Sequence, residues 1–405
     1  MTVPATAEPS RRAIYATYAV GFFTNGFGMI MLVIIPLWVA ELGLTAVMIG
    51  FVIGIRSLLP LVFTIHGGAL MDRFGTGRVV LILGAMTAVL SFLYPAFPGV
   101  GPLIAIQMLI GLSGSICWLG AQTLLGQQAP GSSLHAGRFT FCSRSGTLMA
   151  PLLIGGAWDV LGPWGAFSVM GLWASGIVIA VLALPRLPIT TPAKPAGLVR
   201  WRDLAPKRSY YMGAFALFAV PTIAFAVILS FVRVGISGMQ GSFYVVYLVD
   251  IGITGTLIGV LLTGSEACNA FAALGAGRMT RFIAPHWLLL GCFALAVVMM
   301  TITPVLGVFA LFMAASCARG GFQGLGQVVN LSILSHAAGP TAQGITIGLR
   351  ATMDRLASLV VPIFMGLAVD AAGIENSFYI TGGGLLLITA GFGWWALKCG
   401  LRTGE

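Results

Sequence analysis

The sequence predicts an all-α membrane protein with twelve transmembrane helices in two pseudo-symmetric six-helix halves. Three observations carry this. First, 58% of the 405 residues are hydrophobic and only 8% are charged, where soluble domains carry about 25% charged residues. That much apolar surface exceeds what one soluble core can bury, so lipid must be the solvent. Second, the apolar runs number twelve, each near the roughly 20 residues that cross a bilayer. Third, one stretch occurs twice. SRSGTLMAPLLIGGAWDVLG (143–162) is matched by DRLASLVVPIFMGLAVDAAG (354–373), with Arg144 on Arg355, Pro151 on Pro362, Gly155 on Gly366, Asp159 on Asp370 and Gly162 on Gly373. Phe167 and Phe378 continue the match at the same offset.

The expected spans are 13–39, 46–70, 78–97, 101–127, 136–158, 164–184, 222–248, 254–277, 286–303, 306–334, 343–368 and 376–397. The first pair repeats as well: ELGLTAVMIG (41–50) matches DIGITGTLIG (250–259). Residues 1–184 form one half and residues 210–405 the other. Between them 185–209, LPRLPITTPAKPAGLVRWRDLAPKR, is a Pro-rich basic linker. Residues 210–221 would make the seventh apolar run too long for one crossing at about 1.5 Å per residue. They are expected to be an interfacial or tilted lead-in that bends at Pro221. Abundant glycine, 55 residues, suits helices that pack closely through small side chains.

The net charge of +10 does not point to nucleic acid, because the cations are on one side. With a cytoplasmic N-terminus, the inner loops hold 15 of the 21 Lys and Arg residues, and the outer loops hold only acids: Glu41, Asp159, Asp250, Asp370 and Glu375. This asymmetry places both termini in the cytoplasm, in a multi-pass protein of the cytoplasmic membrane. The start, MTVPATAEPSRR, lacks signal-peptide character, since the apolar run after it is long enough to span. The six cysteines have no metal or redox spacing and read as small apolar fillers. No metal cluster, nucleophile triad or phosphate loop is visible. Neither an enzyme nor a cofactor is expected, and a membrane sensor lacks a soluble domain to signal through.

Residues 68–78, GALMDRFGTGR, resemble the loop motif between spans two and three of the major facilitator superfamily, and the resemblance extends over nearly the whole chain. Gly68, Asp72, Arg73, Gly75 and Arg78 carry it; Thr76 and Gly77 replace the usual basic pair. The counterpart GAGRMTRF (275–282) keeps Arg281 and lacks the aspartate. The resemblance implies two helical halves rocking about a midplane site, a monomer, and a cytoplasmic gate in which Asp72 is held by helix termini and arginines. It also implies that spans 1, 4, 7 and 10 line the cavity and spans 2, 5, 8 and 11 form the interface of the halves. Two exporter motifs are degraded. The fourth span has Gln107, in IQMLIG, where an arginine is usual four residues before Gly111, and the fifth reads APLLIGG, with Ala150 for a glycine.

Six arginines lie inside spans, Arg56, Arg144, Arg233, Arg319, Arg350 and Arg355, with only Glu266 and Asp354 as acids. A charge at the bilayer centre costs at least about 2.5–3.5 kcal/mol, so each needs a partner, and the excess of cations calls for an anionic substrate or for ordered waters and carbonyls. Arg144 and Arg355 each precede an outer-loop aspartate by the same interval and should share a depth, about 22 Å down. Arg319, Gln323, Gln327 and Asn330 form one polar stripe, and Gln343, Arg350, Asp354 and Ser358 another. The expected substrate contacts are Arg319, Arg350, Arg56, Arg233, Gln323 and Gln327. Glu266, Asp354, Arg144 and Arg355 are expected to form the proton-coupling or charge network. Arg350 and Asp354 could equally be a local ion pair, and Arg144 and Arg355 could be ties that hold one access state. Glu266 is either a proton carrier, since burial disfavours the charged carboxylate, or a fixed bridge to an arginine. Aromatics such as Tyr18, Phe23, Trp118, Tyr244 and Tyr247 wall the cavity or simply pack.

The expected function is secondary active transport of a small organic anion, coupled to protons, by alternating access. The alternative is a proton-driven exporter of drugs or secreted metabolites, which predicts cationic or neutral substrates.

Overall fold

A computed structural model describes residues 10–129, 132–185 and 217–398. Among them every regular element is helical and there is no strand. The first half comprises α1 (Arg11–Glu41), α2 (Ala46–Ile55), α3 (Leu58–Phe74), α4 (Thr76–Leu93), α5 (Val100–Gln128) and α6 (Ser133–Leu182). The second comprises α7 (Pro221–Met239), α8 (Val245–Asp250), α9 (Gly255–Leu274), α10 (Ala276–Met279), α11 (Pro285–Thr301), α12 (Phe309–Ala372) and α13 (Ile374–Lys398). Nine helical stretches among the described residues are long and apolar enough to cross a membrane, and Pro285–Thr301 is a shorter apolar helix.

Two helices are too long for one crossing. α12 has 64 residues, about 96 Å of helix against a hydrocarbon core of about 30 Å. α6 has 50 residues and breaks at Gly162, whose φ of 67° is open to glycine at little cost; Pro163 follows it. Both therefore have the length of two successive spans, as the sequence predicts.

The linker's residues 186–209 and the first part of the lead-in, 210–216, lie outside the described residues. From Leu217 the chain makes a 3-10 turn to Ala219, and α7 starts with Pro221 in its first turn, where the missing N–H costs nothing. The seventh span is thus broken off at Pro221, the residue at which the sequence places the bend.

The halves meet through glycines, and these contacts repeat with the sequence. A β-carbon on Gly155 of α6 would strike the carbonyl of Gly255 in α9, and one on Gly366 of α12 would strike that of Ala46 in α2. Gly259 faces the Pro151 carbonyl as Gly50 faces that of Pro362. Thr263 donates to the Leu148 carbonyl at 2.9 Å, and Gly54 lies against the carbonyl of Leu359. Ala46, Gly50 and Gly54 are the repeat positions of Gly255, Gly259 and Thr263. One surface has therefore been used twice, with the partners exchanged. All these contacts lie toward the end of the bundle that carries the acidic loops, where the halves are closed on each other.

Candidate functional site

Pro60 has no N–H to give to the carbonyl of Arg56 four residues earlier, and the helix breaks there: α2 ends at Ile55 and α3 begins at Leu58. The carbonyl of Arg56 is turned toward α5, where Gly111 leaves room for it; a β-carbon at Gly111 would collide with that oxygen. Gln107, one turn before Gly111, then faces the same space as Arg56. It is 1% exposed, and its Oε1 has no hydrogen-bond partner.

That space is a cavity of about 190 Å³ between the halves. Arg56, Ser57 and Gln107 line it from the first half, and Ser237, Arg355 and Ser358 from the second. Neither Arg56 nor Arg355 forms an ion pair among the described residues.

The repeat explains why Arg355 has no carboxylate. Its counterpart Arg144 pairs with Glu266 at 3.6 Å across the interface. The repeat position of Glu266 is Ser57, so on the other side of the pseudo-axis a serine stands where the acid would be. Arg56 itself corresponds to Ser265. Duplication thus placed an arginine twice, and divergence gave only one of the two an acid.

The other membrane arginines are occupied. Arg233 and Arg350 share Asp354, at 3.3 and 3.7 Å, and Ser230 donates to the other carboxylate oxygen at 2.6 Å. Arg319 is 2% exposed and is enclosed by its own half. It donates to Gln240 Oε1 at 2.7 Å and to Ser265 Oγ at 3.0 Å. Gln240 opens a π-helical turn, Gln240–Tyr244, between α7 and α8, an irregularity that is frequent at functional positions. Gln323 donates to the carbonyl of Arg233 at 3.4 Å, and Gln327 is half-buried. Of the six expected substrate contacts, only Arg56 lines this cavity. Arg355, expected in the charge network, lines it too.

The family model of the Major Facilitator Superfamily matches the chain in two overlapping stretches, residues 17–249 and 226–400. The chain belongs to the major facilitator superfamily. Its fold is that of solved transporters of low sequence identity. A variant of the nucleoside transporter NupG superposes with a TM-score of 0.78 at 12% identity, over 94% of this chain and 98% of that one. A bacterial homologue of the human lysosomal transporter Spinster, inward-facing and unoccupied, gives 0.75 at 14%, over 97% and 98%. The peptide transporter POT in complex with sulfate gives 0.74 at 14%, over 96% and 95%. A comparison with curated proteins found no match.

Within this superfamily fold the 68–78 loop caps and turns as its residues require. Gly75 ends α3 at φ 88° and donates its N–H to the Met71 carbonyl. Gly68 has open space around it. Arg73 is exposed with its guanidinium 5.2 Å from the Phe74 ring, and Arg78 is exposed in the first turn of α4. The side chain of Asp72 lies outside the described residues. Two site residues carry no motif of their own: Ser57 and Ser237. For Ser57 a signal was available, since aligning 41–50 with 250–259 and continuing places it opposite Glu266. Ser237 follows from packing alone.

Proposed function

We propose that this chain is a secondary active transporter of a small organic anion, working by alternating access in the cytoplasmic membrane with both termini cytoplasmic. One observation carries the reading. Arg56 and Arg355, from opposite halves, line the same partly open cavity, and neither is paired with an acid among the described residues. Two unpaired cations in a low-dielectric space repel each other and attract an anion strongly. The cavity is small, about 190 Å³, which suits an anion of few atoms. Guanidinium groups bind carboxylate or phosphate oxygens through charge-assisted bonds, and Gln107 Oε1 is free to accept from a hydroxyl of the substrate. An anion held by both arginines ties the halves together, so its binding favours rocking from one access state to the other.

Coupling to protons rests on Glu266. Its bridge to Arg144 is long, and the two side chains are 17% and 37% exposed, so the pair can open and let the carboxylate exchange a proton with water.

The test is thermal stabilisation of the purified protein by a panel of small carboxylates, phosphate esters, lipophilic cations and neutral drugs. One anion class should raise the melting temperature. Arg56→Gln and Arg355→Gln should each weaken that effect at least about tenfold in ligand concentration, as expected for losing a bond to a charged group. Stabilisation by cations or neutral drugs alone would overturn the anion reading and favour an exporter.

A further inference from the structure

Cys268 and Cys317 have no metal spacing along the chain, but the fold brings them together. Cys268 lies in α9 and Cys317 in the first part of α12, and their thiols are hydrogen-bonded to each other. Met313, one turn before Cys317 on the same helix face, places its Sδ 3.8 Å from the Cys317 Sγ. Gly264 makes the room for this. A β-carbon there would lie 2.9 Å from Met313 Sδ and 3.4 Å from Cys317 Sγ. Neither cysteine is sealed in the core; both are half-buried. The repeat positions of Cys268, Cys317 and Met313 in the first half are Leu59, Met108 and Ile104. The sulfur cluster therefore belongs to the second half and is not a relic of the duplication.

Thiolate and thioether sulfurs are soft ligands and select soft ions such as Cu(I). Two sulfurs 3.8 Å apart, each about 2.3 Å from a metal, subtend about 110° at it. Met313 and Cys317 thus need not move to share one ion. Among the described residues no group of three His, Cys, Asp or Glu could hold a metal, so the cluster has no further ligand of that kind with which to close a zinc tetrahedron. The charge fits as well. Arg319, two residues beyond Cys317, is 2% exposed, and its hydrogen bonds go to the neutral side chains of Gln240 and Ser265. It interacts electrostatically with Cys317. A monovalent ion on two thiolates carries one negative charge, and a buried cation is stabilised by such a partner.

We propose that Cys268, Cys317 and Met313 form a site for one soft monovalent metal ion, Cu(I), which pins α9 to the first part of α12 beside Arg319. Binding releases the two thiol protons and leaves the ion's oxidation state unchanged. The site is separate from the cavity that Arg56 and Arg355 line.

The experiment offers the detergent-purified protein Cu(I), under argon, from its coloured complex with a sulfonated bathocuproine. The protein should withdraw one copper per chain, and zinc should not displace it. Loss of an outer-shell partner alone costs about 10–100-fold in metal affinity, so Cys268→Ser and Cys317→Ser should each weaken binding at least about a hundredfold, and Met313→Leu about tenfold. Cys142→Ser, in the other half, should change nothing. X-ray absorption at the copper edge should show a shell of sulfur alone. Failure to withdraw copper would overturn the proposal. So would copper retained at wild-type affinity by both Cys268→Ser and Cys317→Ser in protein with unchanged helical content, or a copper shell built of nitrogen and oxygen.

Discussion

Gly111 of α5 lies directly against the carbonyl oxygen of Arg56, and Gly320 of α12 lies in the same way against that of Ser265. The two pairs occupy corresponding places in the two halves. In each, a glycine lets one helix approach the backbone of another where a side chain would hold them apart. In the first half the oxygen belongs to the arginine that lines the cavity between the halves, so Gly111 decides where that arginine stands.

Gly111→Val should therefore separate α5 from the break between α2 and α3. Overpacking of this kind costs about 1–3 kcal/mol. The expected result is a lower melting temperature and weaker anion stabilisation together, read in one thermal titration. Gly101→Ala, on the same helix where nothing lies within 4 Å, should change neither.

Among the described residues Asp354 is the one acid that pairs with two arginines, Arg233 and Arg350. Asp354→Asn leaves both cations in the membrane without compensation. Removing one partner of a buried pair costs about 3–5 kcal/mol, and these side chains, about a fifth exposed, belong at the lower end. Arg350→Gln should cost clearly less, because Arg233 and Ser230 still hold the carboxylate. Equal losses of melting temperature for the two variants would contradict this ranking.

Asp159 closes the acidic end of the bundle. Its carboxylate accepts from the N–H of Gly255 at 2.8 Å, and from the N–H and the hydroxyl of Thr256, both at 2.6 Å. These groups open α9, where a negative charge is favoured by about 1 kcal/mol or less at an exposed site. Asp159→Ala should shift the population several-fold toward an outward-open state. The shift can be followed by labelling a cysteine introduced at Thr254, beside the vestibule that Asp159 lines. Among the described residues Asp370, its repeat counterpart, makes no such bond, and Asp370→Ala should leave the labelling rate unchanged.

Glu266→Gln tests the proposed proton coupling apart from binding. In proteoliposomes the variant should still exchange substrate across the membrane down its gradient, and it should lose accumulation driven by a pH difference. Accumulation that persists at the wild-type level would remove Glu266 from the coupling.

Much of this was legible in the residues. Arg144 and Arg355 could be matched before any contact was known, because an arginine in an apolar span is costly and a second one at the same offset is a repeat. Proline and glycine also spoke locally. Pro221 begins a helix, Gly162 breaks one, and Pro60 frees the carbonyl that Gly111 accommodates.

What the sequence determined by itself is the class of solvent and the plan: apolar runs of crossing length, cations on one side, two related halves, and a surplus of buried positive charge. Those follow from transfer energies and helix periodicity, which act residue by residue. The tertiary structure decided which cations are free. Arg319 heads a polar stripe and looks like a ligand, yet Gln240 and Ser265 enclose it. Arg355 looks like the twin of Arg144, yet it meets Ser57's side of the interface where Arg144 meets Glu266. The reason is physical. A charge is satisfied by whatever lies within about 4 Å, and in this protein those neighbours come from helices far apart in the chain.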